Sequence, residues 1–231
     1  MAVNRQQERV YEQVDLVRGA GSRLRGQLCI MSLVAYLADE RHSDHPLTAS
    51  PFVSNFAIQL NDGSPTRLRQ NLKPFAPRII GTNDGHDLER AMLAYQVITE
   101  EVWPRAEHDA VLVRKNVIHE SGIKGLISFA ATLCGSGARV SITARFDALR
   151  AAHERGDYLT LGTLAGQLLI GLVQRVPTRQ RWYWAKALEL LDRLCDVGCD
   201  ERSPTMSSQA GAGARHGTAG QKPTRLNTSE V

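Results

Sequence analysis

Histidines and carboxylates crowd one short stretch of the chain, Arg41-His42-Ser43-Asp44-His45-Pro46. Imidazole and carboxylate ligate Zn²⁺ and Mn²⁺, and a histidine held by a carboxylate works as a general base. His42, Asp44 and His45 are therefore the candidate catalytic residues. His42, His45 and His86 are the candidate metal ligands, with Asp39 and Glu40 able to join if the fold gathers them. The spacing matches no metalloenzyme signature. The alternative is a polar helix-to-loop connection in which Ser43 or Asp44 caps backbone groups and Pro46 fixes the turn.

A second candidate is basic. Arg67, Arg69, Lys73 and Arg78 surround Pro74 and Pro77, and Gly81-Thr82-Asn83-Asp84-Gly85 then leads into a helix start. Arginine grips phosphate and carboxylate through two parallel hydrogen bonds, and a helix N-terminus favours anions. Arg67, Lys73, Arg78 and Thr82 form a candidate ligand-binding set. No Gly-Lys-Ser/Thr follows, so this is not a P-loop. Asp84 and Asp87 would repel an anion there and fit helix capping better.

Three further features have two readings each. Arg179, Arg181, Trp182, Tyr183 and Trp184 mix cations with flat rings, as nucleic-acid surfaces do, yet Trp184 is in register with a core stripe. Gly162 and Gly166 lie one helical turn apart and would let two helices approach, within the chain or across a dimer. Cys134, with His119 or His153 as base, is a nucleophile candidate that no cationic surroundings activate.

The elements that must position these residues are mostly helical. Val3, Val10, Val14 and Val17 predict a helix over residues 3–18 with a narrow apolar seam, stopped by Gly19 and Gly21. Residues 23–40 predict a second, deeply buried helix. Ser50-Pro51 starts a third, which ends at Asn61-Asp62-Gly63. A short helix over 65–73 precedes an extended path through Pro74 and Pro77. A helix over 86–103 stops at Pro104. Residues 110–118 fit a strand or a helix, and 123–134 read as buried. Helices then run from about Ser141 to about Arg155, after a Gly156-Asp157 turn to about Arg175, and after Pro177-Thr178 to about Val197. Leu28–Ala38 and Leu159–Val173 are too short or too polar for the roughly 20 apolar residues a bilayer requires.

Ser43-Asp44-His45-Pro46, Asn61-Asp62, Leu72-Lys73-Pro74 and Arg78-Ile79-Ile80-Gly81-Thr82 together resemble a pattern of uncharacterised bacterial proteins, over roughly residues 28–103. The resemblance implies a module boundary and no activity. Ala148 to Tyr158 resembles the turn of a tetratricopeptide-type helical hairpin. It occurs once, whereas stable arrays need about three units.

Formal net charge is +4, with 28 basic and 24 acidic residues. That permits a polyanionic partner without the one-sided excess of a dedicated nucleic-acid binder. No CxxC pair and no signal-like apolar run opens the chain, which predicts a reducing, cytoplasmic setting. The expected fold is all-α: an N-terminal helical module (1–104), a C-terminal helical bundle with a tetratricopeptide-like hairpin (105–199), and a disordered tail (200–231). The expected function is a protein-interaction or self-associating module, with a protein partner or a second copy as ligand and no membrane role. Behind it stand a small metal-dependent hydrolase or ligand-binding enzyme using His42, Asp44 and His45, and nucleic-acid binding. The sequence names no cofactor.

Overall fold

The computed structural model describes residues 5–109 and 141–199. Among these the fold is all-α apart from one small sheet. The expectations for residues 110–140, Cys134 included, and for the tail from residue 200 lie outside the described residues.

Helix α9 (Tyr158–Arg175) is the element on which α3 (Pro51–Gly63), α6 (Asp87–Val97), α8 (Ile142–Glu154) and α10 (Gln180–Asp196) pack. Leu161, Ala165, Leu168, Leu169, Leu172 and Val173 form its broad buried side. Glycines make room where backbones meet. A Cβ on Gly162 would lie 2.9 Å from the carbonyl oxygen of Phe52, and one on Gly166 3.0 Å from that of Phe56. Gly63 meets Ile170 in the same sense. Both members of each pair ascend together, so α3 and α9 run parallel. The glycine pair therefore serves an intrachain contact.

Most helix ends are legible in local chemistry. Ser50 Oγ accepts from the Val53 N–H, Ser141 Oγ from Ala144, and an Asp157 carboxylate oxygen from Thr160. Gly156, at φ +67°, makes the turn of the α8–α9 hairpin. Helices α9 and α10 are joined by a 3₁₀ turn, Pro177–Arg179, and bend by 108°. No single described helix is long and apolar enough to cross a membrane.

The N-terminal third departs from expectation. Helix α1 (Arg5–Gln13) stops early, and Val14 and Leu16 are buried while Asp15 is exposed, which is a strand period. Strands β1 (Asp15–Leu16), β2 (Gly21–Ser22) and β3 (Gln27–Leu28) form a sheet in the order β1-β3-β2, with β1 parallel and β2 antiparallel to β3. The Gln70 amide extends it, accepting from Leu16 N–H (3.0 Å) and donating to the Leu16 carbonyl (2.9 Å). Helix α2 is only Ile30–Leu37, because Cys29 caps it: its Sγ accepts from Ser32 N–H. Buried Asn61 ties these pieces to α3, accepting from Ile30 N–H and donating to the Val17 carbonyl.

The prolines behave differently too. After α4 (Thr66–Arg69), residues Gln70–Phe75 form a 3₁₀ helix containing Pro74, and Pro77 sits in the first turn of α5 (Ala76–Ile79), where no N–H is needed. Pro104 does not stop the long helix. A π-turn, Ile98–Val102, shifts the hydrogen-bond ladder so that Trp103 N–H reaches the Ile98 carbonyl, and the helix continues as α7 (residues 103–109).

Gly162→Ala tests the parallel α3–α9 contact. The substitution gains about 1 kcal/mol of helix propensity but forces the Phe52 backbone to move, at roughly 1–3 kcal/mol. Urea denaturation is expected to show a net loss of stability.

Candidate functional site

Two loops meet above the start of α3. In the first, Asp39 takes φ +59° just after α2, with its N–H on the Tyr36 carbonyl and the Glu40 N–H on that of Ala35. This is a Schellman C-terminus with aspartate in the position glycine usually holds. The Glu40 carboxylate then accepts from Leu47 N–H (2.6 Å) and Thr48 N–H (2.9 Å), closing the loop that carries His42, Asp44 and His45. In the second loop, the N–H groups of Gly81 and Asn83 both donate to the Thr48 carbonyl, and Asn83 Nδ2 donates to that of Leu47. Buried Thr82 accepts from Ser50 N–H (2.9 Å) and donates to the Ile79 carbonyl (2.8 Å).

Below this junction lies a buried ionic cluster. Arg90, in the first turn of α6, has a fully buried side chain. It grips both oxygens of Asp84 (2.7 and 2.8 Å) and reaches Asp87 (3.4 Å). It also donates to the carbonyls of Leu194 (3.0 Å) and Val197 (2.9 Å) at the end of α10. Burial alone would lower the guanidinium pKa, but the hydrogen bonds and charges of Asp84 and Asp87 outweigh it and raise the pKa above its ordinary value. Asp87 passes the connection on, accepting from Ser50 Oγ (2.5 Å) and Phe52 N–H (3.4 Å) at the head of α3.

The residues expected to do chemistry are consumed by this architecture or dispersed. His42, Asp44 and His45 are exposed, and Ser43 Oγ accepts from the His45 N–H, as the capping alternative requires. His86 is away from them at the start of α6, packed against Gly198. Among the described residues no three His, Cys, Asp or Glu side chains are placed to hold a metal ion, so His42, His45 and His86 do not converge. Nor do Arg67, Lys73, Arg78 and Thr82 form one site. Arg67 is exposed on α4, and Lys73 donates to the Glu12 carbonyl and lies over the Tyr11 ring. Arg78 pairs with Asp192 and Asp196 of α10, while Thr82 is the buried loop pin already described.

The arginine-aromatic segment folds inward. Tyr183 and Trp184 are buried, and Arg105 covers the ring of half-buried Trp182. The Tyr183 hydroxyl donates to Asp109 (3.0 Å), and burial together with that carboxylate pushes the phenol far above its ordinary pKa. None of the three rings of this segment is fully open for a base to stack on. His153 is stacked on Tyr95, with ring centroids 3.7 Å apart.

What the ionic cluster leaves outside is an apolar face. Leu88 and Met92, one turn apart on α6, are 46% and 49% exposed. Leu159, 51% exposed, opens α9 at the same end of the molecule: its carbonyl accepts from Asn55 of α3, whose neighbour Phe52 donates to Asp87. The sequence reading of a helix over 86–103 did not distinguish which of its apolar residues stay exposed. Comparison with protein-family models, curated proteins and solved structures finds no match to this chain.

Arg90→Met removes the charge that Asp84, Asp87 and two carbonyls share. Breaking such a buried pair costs about 3–5 kcal/mol. Chemical denaturation should show that loss, with Arg67→Met unchanged within about 0.5 kcal/mol as the surface control.

Proposed function

We propose that the chain is a non-enzymatic protein-interaction module that associates with a second copy of itself through the Leu88–Met92 face of α6 and the neighbouring Leu159. The observation that carries this is the half-exposure of these three large side chains on two helices that pack together, two of them one turn apart, whereas Leu24 and Leu47, more exposed still, stand singly between β2 and β3 and in the loop before α3. A single helical face with apolar residues at i and i+4 is self-complementary about a two-fold axis, the commonest symmetry of soluble oligomers. Glu89 and Gln96, also exposed on α6, give the face a polar margin. A reducing cytoplasmic setting is part of the same reading, supported by the buried Cys29 thiol that caps α2.

Sedimentation velocity across a concentration series is expected to show a reversible dimer. The double variant Leu88→Asp/Met92→Asp should be monomeric with its circular dichroism unchanged. A wild-type chain that stays monomeric throughout, or a double variant that dimerises equally well, overturns the proposal.

A further inference from the structure

A groove of about 450 Å³ opens on another side of the molecule, between α3, α8, α9 and the turn after β1. It is lined by Arg18, Arg145, Asp62, Gln59, Gln167 and Gln174 among others. Its volume lies within the range of small-molecule sites, about 300–1,000 Å³.

The polar groups in it are unevenly matched. Asp62 is committed, accepting from Gly19 N–H (2.9 Å) and Asn61 Nδ2 (2.8 Å). Gln174 Nε2 donates to the Gly63 carbonyl. Arg145 is not matched in the same way. One terminal nitrogen donates to the Gln167 carbonyl, but its buried Nε has no hydrogen-bond partner among the described residues. No carboxylate among them pairs with it, whereas Arg78, Arg90, Arg105 and Arg193 each have one. Burial, and then the nearby Arg175 charge, lower its pKa. A partly buried guanidinium without a counter-charge is costly, and its planar fork fits an oxyanion.

We infer that this groove binds a small molecule bearing a phosphate or carboxylate group, with Arg145 and Arg18 as its counter-charges. Gln59 and Gln167 amides line the same space and suit the hydroxyl or carbonyl groups of such a ligand. The site is distinct from the basic stretch around Arg67, Lys73 and Arg78, and it does not depend on self-association.

Isothermal titration of the whole chain at fixed ionic strength tests this, with pyrophosphate as the phosphate probe and citrate as the carboxylate probe. Saturable one-to-one binding of either probe is expected, and which of them binds more tightly assigns the anion. Arg145→Gln and Arg18→Gln should each weaken binding by roughly tenfold or more, the loss of one charge-assisted contact. Arg67→Gln, an exposed charge outside the groove, should leave it unchanged. Arg18 is exposed, so its variant keeps the test open if Arg145→Gln fails to fold. The inference is overturned if neither probe binds, or if all three variants weaken binding alike, which would mark diffuse charge attraction.

Discussion

A fully buried cation, Arg90, ties the end of α10 to the start of α6 within the shared core. Removing a guanidinium from water costs several kcal/mol unless its donors are satisfied and its charge is matched. Here Asp84 supplies a bidentate partner, Asp87 a second carboxylate, and the last turn of α10 two carbonyls. Those carbonyls are among the acceptors that a helix end leaves without intrahelical donors. One side chain therefore offsets the polar deficit of the α10 C-terminus and fixes the start of α6. Through Asp87 and Ser50 it also orients the head of α3, and α3 in turn is clamped to α9 by the glycine contacts.

The same economy explains why so many chemically suggestive residues are structural. The residues of the Ser-Asp-His-Pro to Gly-Thr stretch meet through backbone and side-chain hydrogen bonds of the two docked loops, with Thr48 and Thr82 at the centre. Arg78 and Lys73, which read locally as a basic patch, each reach partners far away in sequence, in α10 and α1. A charge run becomes a binding site only when the fold leaves its charges unmatched. By that criterion Arg145 stands out among the described arginines, with a buried Nε that has no partner, and its neighbours in sequence give no hint of a ligand.

What was legible in the sequence were the features set by neighbouring residues. Ser50-Pro51 marked α3, and Ser141, Gly156-Asp157 and Pro177 marked the ends of α8, α9 and the turn before α10. The reading of Asp84 and Asp87 as helix caps is not what the structure shows: the start of α6 has no side-chain cap, and both carboxylates serve Arg90, a partner that could not be seen without α10. The misreadings have tertiary causes. Val14 and Val17 fit a helical seam until the Gln70 and Asn61 amides claim the local backbone for a sheet. Cysteine is an uncommon cap, so the start of α2 at Ile30 was hidden within a longer apolar run. Pro104 reads as a stop because helix patterns do not announce a π-turn.

Arg90 makes the α10 C-terminus and the α6 N-terminus one cooperative unit. Native-state amide hydrogen exchange in low denaturant measures this directly, since segments that open together exchange with a common free energy. The amides of the last turn of α10 and those of α6 from Arg90 on are expected to exchange together, near the global unfolding free energy, and to separate when Asp84 is replaced by Ala. If the end of α10 frays independently in the unaltered chain, the buried cation is not what joins them.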